Sequence, residues 1–313
     1  MTRLYYLEAS AYDVFENQAL EKYLLENVED DTVILYLWQN ENCIVIGRNQ
    51  DAYSECDLER FEKDGGKLAR RITGGGAVYH DKGNLNFTFV CKKDLYDVDK
   101  QDMIILAALK SLGIDANKNG RNDLEIEGRK FSGHAYYKGK KSCLHHGTLM
   151  LEVDEGRLSD YLNVSLVKLE ARKVSSVRSR VINLKAVKPG LSIEDLKKAL
   201  LSSFENEYKN KACVYKYDEE KLKKLKAEFA DPLWRHGQKA EHEFVKEKRF
   251  SWGILRLTYD KEDNILKDLA IYTDALNWDI EEKEYKNWLG KDIRTLKADK
   301  EKLRAILELL NEE

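Results

Sequence analysis

The chain is short of the features that would place it in several broad protein classes. Its five cysteines, at positions 43, 56, 91, 143 and 213, are odd in number and widely spaced, with no CxxC pair. That pattern excludes a disulfide framework and fits a reducing cytosol. Only two prolines occur, Pro189 and Pro232, and no repeat or low-complexity stretch interrupts the chain. No apolar run approaches the roughly 20 residues that span a bilayer. The start, Met1-Thr2-Arg3-Leu4-Tyr5, turns acidic within a few residues and lacks a signal-peptide pattern. A cytoplasmic protein with no membrane association is therefore expected. The 53 basic and 56 acidic residues leave a net charge of -3, so no basic excess points to nucleic acid.

What is present suits a folded enzyme. A length of 313 residues with 42% hydrophobic composition accommodates one large domain and a small one. Apolar spacing predicts an amphipathic helix over 14–28. Two short apolar runs, 33–38 and 43–46, carry a hairpin signal. Leu85, Phe87, Phe89 and Cys91 alternate with other residues and predict a half-buried strand. A helix over 100–112, strands near 122–127, 131–137 and 144–153, and helices near 155–161, 192–209 and 218–229 follow. The pattern breaks at 230–250. Strands over 253–259 and 265–272 and helices near 281–289 and 299–310 then predict a small ββαα unit. The expected fold class is α+β, with mixed sheets in a catalytic domain over 1–244 and an accessory domain over 245–313.

Two segments concentrate chemistry. The first reads Arg70-Arg71-Ile72-Thr73-Gly74-Gly75-Gly76-Ala77-Val78-Tyr79-His80-Asp81. Three glycines let a backbone crowd a ligand, and their N–H groups together with an arginine fork suit an acyl or nucleotide phosphate. The run matches neither the G-x-G-x-x-G fingerprint nor a Walker loop. The second block runs from Gly120-Arg121-Asn122-Asp123 to Gly128-Arg129-Lys130. Asn122 and Asp123 are candidates to hold a base or ribose, or to position a metal bound to phosphates. Lys130 is the best candidate for a catalytic cation; the competing reading is a solvated lysine in a hairpin turn. His145 and His146 are adjacent and on a strand face opposite ways. Cys143 is either a nucleophile for acyl transfer or a small buried hydrophobe. His80-Asp81 is an orienting pair or a loop terminus. The five tryptophans read as packing residues.

Taken together, these blocks and the later His145-His146-Gly147-Thr148-Leu149 resemble the lipoate–protein ligase A family of the biotin/lipoate protein ligase superfamily. The resemblance implies a ligase-like catalytic domain with a small C-terminal accessory domain that moves between steps. It implies activation of lipoate, with octanoate as an alternative, by ATP and Mg²⁺ to an acyl-AMP. Transfer to a lysine of a lipoyl carrier domain follows, on 2-oxoacid dehydrogenases or the glycine cleavage H protein. It places Arg71, Gly75, Gly76, Ala77, Val78, Tyr79 and His80 around the lipoyl-adenylate. Lys130 falls between acyl carbonyl and phosphate, Asn122 and Asp123 at adenylate and metal contacts, and His146 near an acyl tunnel. Apolar residues of 33–46 and 85–89 are candidates for the tunnel wall. A monomer is expected. The segment Trp234-Arg235-His236-Gly237-Gln238-Lys239-Ala240 departs from the family pattern by lacking its proline. Two rivals stand beside this reading: an ATP-independent octanoyl or lipoyl transferase working through Cys143, and a non-catalytic lipoate- or carrier-binding protein.

Overall fold

Short polar residues start the helices. Asp13 Oδ1 accepts the backbone N–H groups of Phe15 and Glu16 at the head of α1 (Val14–Asn27), which follows β1 (Arg3–Glu8). Next come β2 (Thr32–Trp38), β3 (Cys43–Ile46), α2 (Ala52–Glu55), α3 (Leu58–Lys63) and β4 (Lys67–Arg70). The glycine run leads into β5 (Val78–His80) and β6 (Asn84–Lys92). After α4 (Val98–Ser111) stand β7 (Asn117–Asn119), β8 (Asp123–Ile126), β9 (Arg129–Lys138), β10 (Ser142–Met150) and α5 (Glu155–Tyr161). A capping box between Ser192 and Asp195 opens α6 (Ile193–Tyr208). β11 (Ala212–Val214), α7 (Glu219–Ala230) and α8 (Pro232–His236) lead to the C-terminal strands β12 (Phe244–Phe250), β13 (Gly253–Glu262) and β14 (Ile265–Thr273), and α9 (Glu301–Asn311) closes the fold. This computed structural model describes residues 2–120, 122–161, 181–237 and 241–312. Arg121 of the second motif and residues 238–240 of the altered tail lie outside them.

The strands make a mixed eight-stranded sheet in the order β11-β1-β2-β6-β10-β9-β8-β7. Helices cover both of its faces. Val33, Leu35 and Leu37 of β2 join the core beneath α4 and α6. Ile34, Tyr36 and Trp38 join the one beneath α1 and α7. β6 is likewise buried along nearly its whole length, which corrects the half-buried expectation for residues 85–91. Alternation there divides two cores rather than core from water.

The predicted hairpin of 33–38 and 43–46 does not form. β2 pairs with β1 and β6, whereas β3 turns away into a separate sheet with β4 and β5. The interrupted stretch at 230–250 contains α8 and the strand β12. The C-terminal unit is a three-stranded meander of β12, β13 and β14 with α9 packed on it. Residues 281–289 form short 3₁₀ turns, because Trp288 alone is buried there and no apolar stripe drives a longer helix. Among the described residues, no helix is long and apolar enough to cross a membrane.

Candidate active site

A cavity of about 570 Å³ opens between the large sheet, the glycine loop and the C-terminal unit. The residues that the family resemblance places at the site line it: Arg71, Gly75, Gly76, Ala77, Val78, Tyr79, His80, Asn122, Asp123, Lys130 and His146. They come from five separate places in the chain. Cys143 is not among them.

At the cavity mouth, Lys130 Nζ lies 2.8 Å from Asp123 Oδ1, with side chains 37% and 30% exposed. The β8–β9 ladder shifts register between Leu124 and Glu125, so Gly133 faces Asp123 while Lys130 faces Glu125. The extra residue, Phe131, is buried in the core. Such a bulge re-aims the side chains on either side of it. The lysine stem lies over Gly133, where a Cβ would come within 2.7 Å of Nζ. Asn122 Nδ2 donates to the carbonyl of His134, 3.3 Å away, which anchors the loop before Asp123.

The glycine loop is held from within. Arg71 Nε donates to Thr73 Oγ1 and to the Gly74 carbonyl. Its terminal nitrogens donate to the carbonyls of Val45, Gly74 and Gly76. Burial lowers the guanidinium pKa to about 10, and the nearby Glu21 carboxylate opposes that shift, so the group stays charged at neutral pH. Arg71 is therefore not the free fork expected from sequence; the loop's own carbonyls consume it. Arg70 is spent in the same way on the carbonyls of Gly47, Arg48, Gln50 and Trp234. Gly75, at φ 94°, donates its N–H to the Ala275 carbonyl rather than to a ligand. A Cβ on Gly74 would meet that same carbonyl oxygen at 2.2 Å. The glycines thus admit the C-terminal unit against the loop, and Arg249, Trp252 and Leu276 complete the cavity wall.

The two histidines of β10 do face opposite ways. His146 Nδ1–H donates to Glu21 Oε1 at 2.7 Å, and Thr73 Oγ1 lies 2.8 Å from its Nε2. Glu21 also accepts from the Thr88 hydroxyl, which accepts from Trp38 Nε1–H. A buried chain of hydrogen bonds thus runs from Arg71 to Trp38. His145 points into the other core, where its Nδ1–H donates to Gln101 Oε1 and its Nε2 faces His134 Nδ1 at 3.1 Å. Asp102 joins them, with Oδ1 3.2 Å from His134 Nδ1 and Oδ2 2.7 Å from Lys118 Nζ. Burial raises the Asp102 pKa, but the bonds from His134 and Lys118 outweigh it and hold the carboxyl below its usual range. Asp102, His134 and His145 could geometrically surround a metal. The Lys118 ammonium already neutralises the carboxylate, so the group closes as an ion-paired hydrogen-bond network.

His80 and Asp81 part company. His80 Nδ1 lies 3.2 Å from Asn40 Nδ2, while Asp81 accepts the backbone N–H groups of Gly83 and Asp154. Cys143 is buried opposite Cys91 on β6, and burial pushes its thiol pKa up. Burial and a position off the cavity do not favour the thioester route. Sequence reasoning missed Gln18, Glu21, Trp38, Asn86 and Trp252. The first two are polar residues within an amphipathic helix, where spacing gives no sign of a site, and the tryptophans read as packing residues. Of the apolar residues of 33–46 and 85–89 expected in the tunnel wall, Val45 lines the cavity, and Trp38, Asn84 and Asn86 stand beside it.

A half-open cavity of mixed polarity, with a lysine–aspartate pair and a glycine loop in its wall, suits a small anionic ligand with an apolar part. Residues 13–205 match the lipoyl protein ligase A/B catalytic domain, and residues 239–312 match the bacterial lipoate protein ligase C-terminus. The chain belongs to the lipoate–protein ligase A family. It is 36% identical to lipoate-protein ligase A of Psychrobacter cryohalolentis, over 99% of this chain and 93% of that protein. P. falciparum LipL1, solved in complex with lipoate, shares 29% identity at a TM-score of 0.81, covering 99% of this chain and 100% of that one. A lipoate-protein ligase A solved with ATP shares 28% at 0.65, covering 75% and 98%. The bipartite ligase of Thermoplasma acidophilum, from a study of that ligase and its E2 lipoyl domain, shares 28% at 0.65, covering 78% and 99%.

Proposed function

We propose that this chain joins lipoate to ATP, releasing pyrophosphate, and then passes the lipoyl group from lipoyl-AMP to a lysine amine of a lipoyl carrier domain. One observation carries this reading: a single cavity connects the half-exposed Lys130–Asp123 pair to a deeply buried compartment beside Trp38. A carboxylate at the mouth can meet ATP while its carbon chain is sheltered inside. In the first step a carboxylate oxygen attacks the α-phosphorus and the bond to pyrophosphate breaks. Both reactants are anionic, and the Lys130 ammonium is placed to offset the charge that builds between them. In the second step a neutral carrier amine attacks the acyl carbonyl, AMP leaves, and the amine gives up a proton.

The remaining residues have supporting roles in this reading. Arg71 shapes the loop, and its buried charge favours an anion beneath it. Gly75, Gly76, Ala77, Val78, Tyr79 and His80 border the adenylate and exclude water from a labile anhydride. His146, locked between Glu21 and Thr73, fixes the wall of the acyl compartment. Asn122 and Asp123, with Glu125 beside them, offer the hard oxygen donors that suit Mg²⁺, which would add positive charge at the phosphates. The C-terminal unit, residues 245–313, acts as the accessory domain that covers the loop. The partner is the lipoyl domain of a 2-oxoacid dehydrogenase or the glycine cleavage H protein, and the enzyme acts as a monomer in the cytoplasm.

ATP–pyrophosphate exchange without carrier tests the first step. Exchange that requires lipoate or octanoate supports adenylation. Acyl transfer from octanoylated carrier without ATP, in the absence of any exchange, would move the assignment to a transferase.

A further inference from the structure

The buried end of the cavity holds an unanswered polar group. Gln18, on α1, is 1% exposed and lines the cavity. Among the described residues, neither Oε1 nor Nε2 of its amide has a hydrogen-bond partner. Of its polar neighbours on the helix, Asn17 is engaged at both ends of its amide and Glu21 through Oε1, while Glu21 Oε2 has no partner among the described residues. Asn17 donates to the Gln39 carbonyl and to Asn40 Oδ1, and accepts from the Tyr36 hydroxyl. Glu21 accepts from Thr88 and His146. A buried primary amide left unpaired is unfavourable, and an occupant that pairs with it removes that penalty.

A second group points to the same need. Because Asn40 Oδ1 is taken by Asn17, the other end of the Asn40 amide donates to His80 Nδ1. The proton of neutral His80 then sits on Nε2, which also lacks a partner and whose ring lines the cavity. Two polar groups with fixed positions therefore face a compartment that an aliphatic chain alone would leave unsatisfied.

The position of Gln18 along the cavity follows from exposure. Lys130 and Asp123 mark the open mouth, at 37% and 30%. Gln18 and Trp38 are at 1% and 3%. If the carboxylate reacts at the mouth, as the proposed function requires, the far end of the acyl chain lies beside Gln18. We propose that Gln18 is a specificity-determining residue, whose amide N–H groups meet the dithiolane sulfurs of lipoate and so disfavour a plain alkyl end such as that of octanoate. The dithiolane is a cyclic disulfide whose sulfurs, like a thioether's, are weak acceptors and favourable neighbours for an aromatic ring, and Trp38 lines the same compartment.

Calorimetric titration of lipoate and octanoate into wild type, Gln18→Leu and Gln18→Met, with a non-hydrolysable ATP analogue present, tests this. Wild type is expected to bind lipoate more tightly. Both variants are expected to lower that preference about five- to tenfold, chiefly through better octanoate binding. Methionine keeps the unbranched shape of glutamine, so a shift shared by both variants belongs to the amide and not to packing. An octanoate analogue with one thioether sulfur near its end should also bind wild type more tightly than octanoate does, a test that needs no mutation. An unchanged preference, equal loss for both acids, or no binding of either overturns the proposal. Pyrophosphate exchange by wild type is scored separately: its absence sinks the ligase reading, while the binding preference still decides the role of Gln18.

Discussion

The glycine loop and the β8–β9 hairpin each present a cation that looks alike in sequence, and the fold treats the two in opposite ways. Arg71 is 6% exposed and spends its guanidinium on loop carbonyls and Thr73. Lys130 is over a third exposed and holds one ion pair, to Asp123. A planar, five-donor group is suited to buckling a backbone that has few other partners. A flexible ammonium with one weak partner remains able to meet a ligand. The comparison teaches that a cation beside a glycine run can be architecture, while the cation left able to meet a ligand arrives from another strand.

Replacing Arg71 by methionine should break the first half of the comparison most severely. Several buried carbonyls lose their donor and the Glu21 carboxylate loses a nearby positive charge, for about 3–5 kcal/mol of stability. Urea unfolding measures it, and Arg71→Lys should rescue little because lysine has no fork. Lys130→Ala tests the other half. Pyrophosphate exchange should fall by about 10²- to 10³-fold, as for loss of one transition-state donor. Unfolding stability should change by no more than about 1 kcal/mol, since a partly exposed ion pair contributes little. An Arg71 variant that is stable but inactive, or a Lys130 variant that unfolds, would reverse the assignment.

Acid sharpens the comparison by loading the histidines around both regions. Burial first, then the charges of Arg71 and His146, lower the His80 pKa to about 3. Burial likewise depresses His134 and His145. In the unfolded chain these imidazoles bind protons near pH 6.5, so the unfolded state takes up more protons below that value. For His80 the resulting contribution is complete above about pH 6.5 and is lost as the pH falls toward 3, at up to about 1.4 kcal/mol per unit, and His134 and His145 act in the same direction. Melting temperatures between pH 7.5 and 5 should fall accordingly; a flat profile would mean that these rings are protonated in the native state. Cys143→Ala should have the smallest effect, leaving exchange and transfer unchanged and removing about 1 kcal/mol of packing.

Much of the site was legible because its polar residues cluster in short stretches. A glycine run can only be a special turn or a close approach, and a dense Asn-Asp…Lys block within a strand pair is unusual. Strand alternation also separated His145 from His146. Other features had no local signature. The bonds of Arg71 reach Val45, on β3, and the cavity wall includes Trp252 and Leu276 from the far end of the chain. The hairpin expectation failed because β2 and β3, though adjacent, found better partners in different sheets. Gln18 and Glu21 are polar residues within an amphipathic helix, where spacing gives no sign of a site.

The order of residues alone determined most of the long helices and strands, the family, and the glycine turn. Capping, periodicity and glycine conformation act over a few neighbouring residues, so they can be read locally. The tertiary structure alone decided which cation is free, which histidine meets which carboxylate, and which amide is left unpaired at the bottom of the cavity. A buried polar group is defined by its partners, and packing, not sequence distance, determines where those partners lie.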